Sequence, residues 1–238
     1  MKIMALDAST QVASVALMEE DVLVQEASLN VGLTHSETLM RLAEQALSES
    51  GWGPEQIDAF AAVTGPGSFT GLRIGVAAVK GLAQAAGKPA VGVGTLETLA
   101  AGLPGFAGEM ACLLDARRGQ VYAGVYRWQG PALLEVRAPE ALPLEELLGQ
   151  LGEGPLALLG DGVAAHEDRL REALGDRAYF TPPHVRLQRA SAAAYLAMQR
   201  LRAGQTLPPA ALMPRYYRES SALTLAERQR KKEAKAHG

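Results

Sequence analysis

One order of elements is written twice along this chain, and it narrows the available folds more than any other feature. Lys2–Leu6 is an apolar run that ends in the polar turn Asp7-Ala8-Ser9-Thr10. Val12–Met18 and Val22–Ala27 alternate around a Glu-Glu-Asp turn, and with the first run they predict a three-stranded meander. Thr34 opens a helix through about Glu49. Leu39, Leu42, Ala43, Ala46 and Leu47 recur at helical spacing, and Thr34 and Glu37 are set for a capping box. Ile57–Thr64 then reads as a strand, Ser68–Ala86 as a helix, Pro89–Val93 as a strand and Thr95–Ala101 as a short helix. The order returns with strands at Met110–Asp115, Gln120–Trp128 and Leu133–Ala138 and a helix at Leu144–Leu151. It continues with a strand at Leu156–Leu159, a helix at Val163–Leu174, extended Ala178–Phe180 and a helix at Ala190–Ala203. Pattern, not residue identity, links the halves.

Two β-β-β-α-β-α-β-α units predict an α/β protein of two mixed-sheet domains facing across a cleft. That is the actin-like (ASKHA, ribonuclease H-like) architecture. The expected division is 1–103, a second domain at 104–204 after the hinge Gly102-Leu103-Pro104-Gly105, and a flexible basic tail at 221–238. Residues 205–220 are a candidate addition to the first domain, because Tyr216 and Tyr217 between arginines look docked on a surface. A net charge of −3 gives no overall excess of positive charge for nucleic acid. The single cysteine, Cys112, lies in an apolar run. It argues for a reducing compartment and a packing role. The apolar run before Asp7 is too short for a leader or a span, so the expectation is a cytoplasmic protein with no membrane contact.

The stretch Gly65-Pro66-Gly67-Ser68-Phe69-Thr70-Gly71-Leu72-Arg73-Ile74-Gly75 has the geometry proteins use for anions: a strand, a glycine turn and a helix start capped by Ser68 or Thr70. It fails the specific fingerprints. No glycine stands five positions after Gly65 or Gly67, as a P-loop requires. Thr70 replaces a dinucleotide glycine, and Pro66 and Thr70 flank Ser68 where a hydrolase elbow has glycines. Gly71 and Gly75 share a helical face with Ala78, and glycine in a helix interior costs about 0.5–1 kcal/mol against alanine. The pair predicts that another element packs close.

Asp7 and Asp115 end the first strand of each half, where actin-like ATPases hold magnesium and phosphate. Ser9 stands at the position of the phosphate-turn glycine, and Arg117 and Arg118 intrude in the second turn. Each turn is equally a hairpin connection with a local Asp acceptor. Asp7, Ser9 and Asp115 are therefore only weak nucleotide candidates. His35 reads as a first-turn surface histidine or a proton shuttle. His35, His166, His184 and His237 stand too far apart for a ligand set, so no metal is expected.

The chain resembles the TsaB (YeaZ) family, bacterial partner proteins in making threonylcarbamoyladenosine on tRNA. The resemblance rests on MKIMALDAST, THSETL, GPGSFTGLRIGVAAVKGLAQAAGKPAVGV, DARRGQVYAGVY and the closing Pro214-Arg215-Tyr216-Tyr217-Arg218. It extends to the catalytic relative TsaD. There a strand leads into Asn-His-x-x-x-His, whose histidines bind the catalytic metal; here Thr95 and Leu99 occupy those positions. Threonine is a poor ligand for such a metal and leucine is none. The resemblance implies a non-catalytic subunit that binds TsaD, helps recruit the ATPase TsaE and touches tRNA only indirectly or weakly. It implies no cofactor in the isolated chain, with ATP or ADP entering only in the assembled complex. The expected partner face comprises His35, Leu39, Ser68, Phe69, Thr70, Gly71, Arg73, Gly75 and Ala78, and the isolated chain is expected to bury it in a homodimer. The alternative is an autonomous actin-like ATPase or small-molecule kinase.

Overall fold

The computed structural model describes residues 1–32 and 34–217; the basic tail and Arg218 lie outside the described residues. The first half holds β1 (Lys2–Asp7), β2 (Ala13–Glu19), β3 (Val22–Leu29), α1 (His35–Ser50), β4 (Ala59–Val63), α2 (Phe69–Ala86), β5 (Ala90–Val93) and α3 (Thr95–Ala101). The second holds β6 (Glu109–Asp115), β7 (Gln120–Gln129), β8 (Ala132–Pro143), α4 (Leu144–Leu148), β9 (Leu156–Leu159), α5 (Asp161–Ala165) and α6 (Glu167–Leu174). After these come β10 (Ala178–Phe180), α7 (Pro183–Arg186) and α8 (Ala190–Arg202).

The two sheets have one topology. Their orders are β3-β2-β1-β4-β5 and β8-β7-β6-β9-β10. In each, the first three strands are antiparallel and the last two join in parallel, Leu6 facing Ala62 in one sheet and Cys112 facing Leu159 in the other. Parallel strands need a crossover, and α2 supplies it in the first half.

The helix expected at Val163–Leu174 is two helices, broken at His166, whose backbone (φ −130°, ψ 23°) is not helical. The capping box at Thr34 does not form. The Thr34 hydroxyl donates to the Glu37 carboxylate (2.6 Å) instead of accepting from the helix. Of the two cap candidates on α2, Ser68 is the one used, its Oγ accepting from the Gly71 N–H at 3.2 Å.

Each sheet is covered on one face by its own helices. Leu39, Leu42, Ala43 and Ala46 of α1 and Val76, Val79 and Ala83 of α2 cover the first sheet. The opposite faces are closed by exchanged helices. From the first half, α3 sets Leu96, Leu99 and Ala100 against Met110, Cys112 and Leu159 of the second sheet. From the second half, α8 sets Ala190, Ala193, Ala194 and Ala197 against Ile3, Ala5, Ala59 and Ala61 of the first. Small side chains on both surfaces let the α8 backbone lie close to the sheet. Its first N–H groups lack partners within the helix and find them in the other half. Ala190 N donates to Ser14 Oγ at 3.1 Å and Ser191 N to the Glu26 carboxylate at 2.9 Å. Arg200 of α8 pairs with both oxygens of Glu97 on α3, each at 2.7 Å. Cys112 is fully buried here, and burial pushes its thiol pKa up.

The chain after Gly204 returns to the first half. Leu207 bridges Ala90, Leu212 enters the core under α2, and the Arg215 N–H donates to Thr64 O at 2.7 Å.

Candidate functional site: the cleft between the halves

A cleft of about 800 Å³ runs between the carboxyl ends of β1 and β6. Its walls come from Ser9–Gln11, the Pro66–Phe69 turn, Asp115–Arg117 and Arg215–Tyr217, with His35, Tyr122 and Asp161 between them. Ligands in such folds approach strand ends of this kind.

On the first-half side the turn is closed upon itself. Asp7 is fully buried; one carboxylate oxygen accepts from Ser9 N at 2.8 Å and the other has no partner. Burial raises its pKa to about 6, although bonding to Ser9 and the nearby His35 oppose the shift. A carboxyl this fully buried is poorly placed to hold a hydrated cation. Ser9 is buried as well, and its carbonyl accepts from Ser68 N at 2.7 Å. Gly67 has φ +155°, and a Cβ there would overlap the Ser9 carbonyl. A Cβ at Gly71 would overlap the Ala8 carbonyl, and one at Gly75 would lie 3.6 Å from the Ala8 side chain. Close packing against the chain's own first turn is therefore what Gly71 serves, whereas a side-chain carbon at Gly75 would meet that turn only in ordinary contact.

His35 is half-buried rather than a surface residue. Its Nε2–H donates to Thr10 O at 2.6 Å and its ring edge lies beside Gly71. Gln188, from the second half, donates to the Thr10 hydroxyl, so this turn is clamped from both sides.

The second-half turn is open. Asp115 and Asp161 stand together: Asp115 N donates to Asp161 Oδ1 at 3.0 Å, and Asp115 Oδ1 accepts from Arg117 N at 2.8 Å. Arg117 pairs with Asp115 Oδ2 at 3.3 Å while its side chain remains 85% exposed. Burial raises the Asp161 pKa, and the neighbouring Asp115 charge adds to that. Sequence reasoning passed over Asp161. The signal was Gly160-Asp161-Gly162 at a strand end, where Gly160 (φ +100°) packs against the Leu113 carbonyl as Gly67 packs against Ser9.

The expected partner-face residues separate into two sets. Leu39 is wholly in the core, and Gly71 and Gly75 face inward, so these three present no surface. Phe69 and Arg73 reach the surface but are engaged by the returning chain. Phe69 stacks on Tyr216 with ring centroids 4.7 Å apart, and Arg73 lies 3.8 Å from the Phe69 centroid and donates to Tyr216 Oη at 3.0 Å. Ser68 and Thr70 are exposed and Ala78 half-buried. Thr95 and Leu99 are fully enclosed, Thr95 with an unpartnered hydroxyl and Leu99 in the core beneath the second sheet. Among the described residues no cluster of three His, Cys, Asp or Glu side chains could hold a metal, and no helix is long and apolar enough to cross a membrane.

Two sheets of one topology about a cleft, with α3 and α8 exchanged between them, define a protein of actin-like fold. YeaZ from Pseudomonas aeruginosa shares this structure with a TM-score of 0.77 and 27% identity, over 90% of this chain and 99% of that one. A family model described as "TsaD: tRNA N6-adenosine threonylcarbamoyltransferase" matches residues 30–225. The tRNA threonylcarbamoyladenosine biosynthesis protein TsaB of Bacillus subtilis is 32% identical over 202 residues, 84% of this chain and 88% of that protein. Its namesake in Escherichia coli is 34% identical over 181 residues, 73% of this chain and 77% of that protein. The chain belongs to the TsaB family.

Proposed function

We propose that this chain is a non-catalytic subunit in the formation of threonylcarbamoyladenosine on tRNA, working in the cytoplasm. It docks on a TsaD-type transferase through the outer face of α1 and α2 and helps recruit TsaE, while other subunits supply the main grip on tRNA. The observation that carries this reading is the enclosure of Thr95 and Leu99, at the positions where the resemblance puts the transferase's metal histidines. No metal centre can be built there without opening the core.

The docking face is the one α2 leaves uncovered. Thr70, Ile74, Ala77, Ala78, Gly81 and Ala85 lie on it, exposed or half-buried, and α2 contains no acidic residue. Exposed Met40 on the neighbouring α1 extends its apolar character. In the absence of a transferase the same face pairs with a second copy of the chain. ATP or ADP belongs to the assembled complex and not to the free subunit, because the Ser9 turn that would receive phosphate is closed.

A Cβ at Gly81 meets nothing within 4 Å, so a large side chain there tests docking without disturbing the fold. Gly81→Arg and Ala77→Arg should abolish co-purification with TsaD, with the melting temperature of the free chain nearly unchanged. A folded Gly81→Arg variant that still binds TsaD as the parent does would defeat the docking reading. The roomy cleft keeps one rival in view, an autonomous ATPase or kinase. Calorimetry with ATP and magnesium separates the two, since tight binding lost in Asp7→Ala would favour the rival.

A further inference from the structure

The aromatic residues of this chain are few: four Phe, two Trp and six Tyr. A third of them, Phe69, Tyr122, Tyr216 and Tyr217, line the cleft between the halves. They are not core. All four are at least partly accessible, and Tyr216 is 45% exposed with its inner face stacked on Phe69. The Arg73 guanidinium lies against the Phe69 ring and donates to Tyr216 Oη, which holds the half-exposed Tyr216 ring in place as a platform. Two exposed arginines, Arg117 and Arg215, stand on opposite walls of the same cleft. Aromatic faces between arginines are how proteins hold unpaired nucleic acid, bases stacking and phosphates pairing with cations.

We infer that this cleft rim binds unpaired RNA, with bases on the Tyr216 platform and backbone phosphates at Arg117 and Arg215. RNA rather than DNA rests on the proposed function above. Nucleobases and phosphates also occur in a free mononucleotide, and the interior of the cleft argues against one. Its first turn is sealed by Gly67 over the Ser9 carbonyl, with Ser68 N already donating to that carbonyl, so this turn offers no open backbone cradle for a triphosphate. Asp115 and Asp161 lie on the floor, where carboxylates repel phosphate and accept from base amino groups. This keeps the backbone at the rim.

The test is fluorescence anisotropy of the full chain with a short fluorescein-labelled single-stranded RNA, against the same sequence in a duplex and against ATP. Single strands should bind tighter than duplex. Tyr216→Ala should weaken binding by about 10-fold, while Tyr216→Phe, which keeps the stack, should stay within about 2-fold. Arg117→Ala and Arg215→Ala should each lower the salt slope by about 0.7. Arg117 is almost fully exposed, so its variant remains informative even where Tyr216→Ala melts early. Equal affinity for duplex, or parental binding in both Tyr216→Ala and Arg117→Ala, overturns the inference. So does ATP that displaces the RNA completely and loses its own affinity in the same variants, which makes this a mononucleotide site. Co-purification with TsaD is measured on each variant: loss of RNA binding with the complex intact supports the cleft site. Failure of the docking reading leaves the RNA result standing on its own.

Discussion

The Asp7 turn and the Asp115 turn occupy the same place in two sheets of the same topology, yet they have opposite surroundings. At Asp7 a glycine loop and a histidine fold over the backbone, and the carboxyl is shut away from water. At Asp115 the turn stays open, an exposed arginine pairs with the acid, and a second carboxylate stands beside it. The difference originates in the segments that leave β4 and β9. Gly-Pro-Gly-Ser brings the start of an 18-residue helix onto the first turn, whereas Gly160-Asp161-Gly162 opens a five-residue helix that touches the second turn through Asp161 and leaves Arg117 exposed. Similar strands thus carry a sealed packing junction on one side and an open, charged turn on the other.

The sharpest way to break this contrast is to pry the first turn apart. Gly71→Val puts side-chain atoms into the Ala8 carbonyl and should cost about 3–5 kcal/mol, read as a fall in the denaturant midpoint. A melting curve that Gly71→Val leaves unchanged would mean the first turn is not the sealed junction described. The second expected effect comes from Asp7. Its folded pKa of about 6 lies above the unfolded value near 3.8, so the folded chain binds more protons between those limits. Stability should therefore rise as pH falls from about 6 towards 4, and the penalty should be fully present above pH 6. Asp7→Asn, which keeps an acceptor for Ser9 N, should raise stability at pH 8 by about 1–3 kcal/mol and flatten that slope. Urea titrations across pH check both. The smallest effect belongs to the open side. Asp115→Asn loses an exposed ion pair and should change stability by less than about 1 kcal/mol, with little salt dependence in the melting temperature.

The sequence carried much of this. Most of the element order follows from alternation and turn chemistry, although the short α7 and the strand order within each sheet do not. The close approach at Gly71 follows from a glycine placed where alanine is favoured. The inward position of Leu39 was equally legible as one of five apolar residues at helical spacing, but periodicity reports a buried face without naming its neighbour. The same limit hid the exchange of α3 and α8. An apolar helix after a fifth strand is equally satisfied by its own sheet or by the next. His166 interrupts a helix whose composition is helical throughout, and only the backbone there reveals the break. The cleft aromatics come from residues 69, 122 and 216–217, and no local pattern announces that they meet.

The exchange of helices has a consequence for synthesis. When the ribosome has made the five strands of the first sheet, the face lined by Ile3, Ala5, Ala59 and Ala61 has nothing to cover it, because its lid is residues 190–202. The first half therefore waits, half-dressed, for nearly the whole of the second to emerge. A nascent chain stalled near residue 180 should remain a chaperone client, and the finished protein should melt as one unit, with no stage at which either half stands alone.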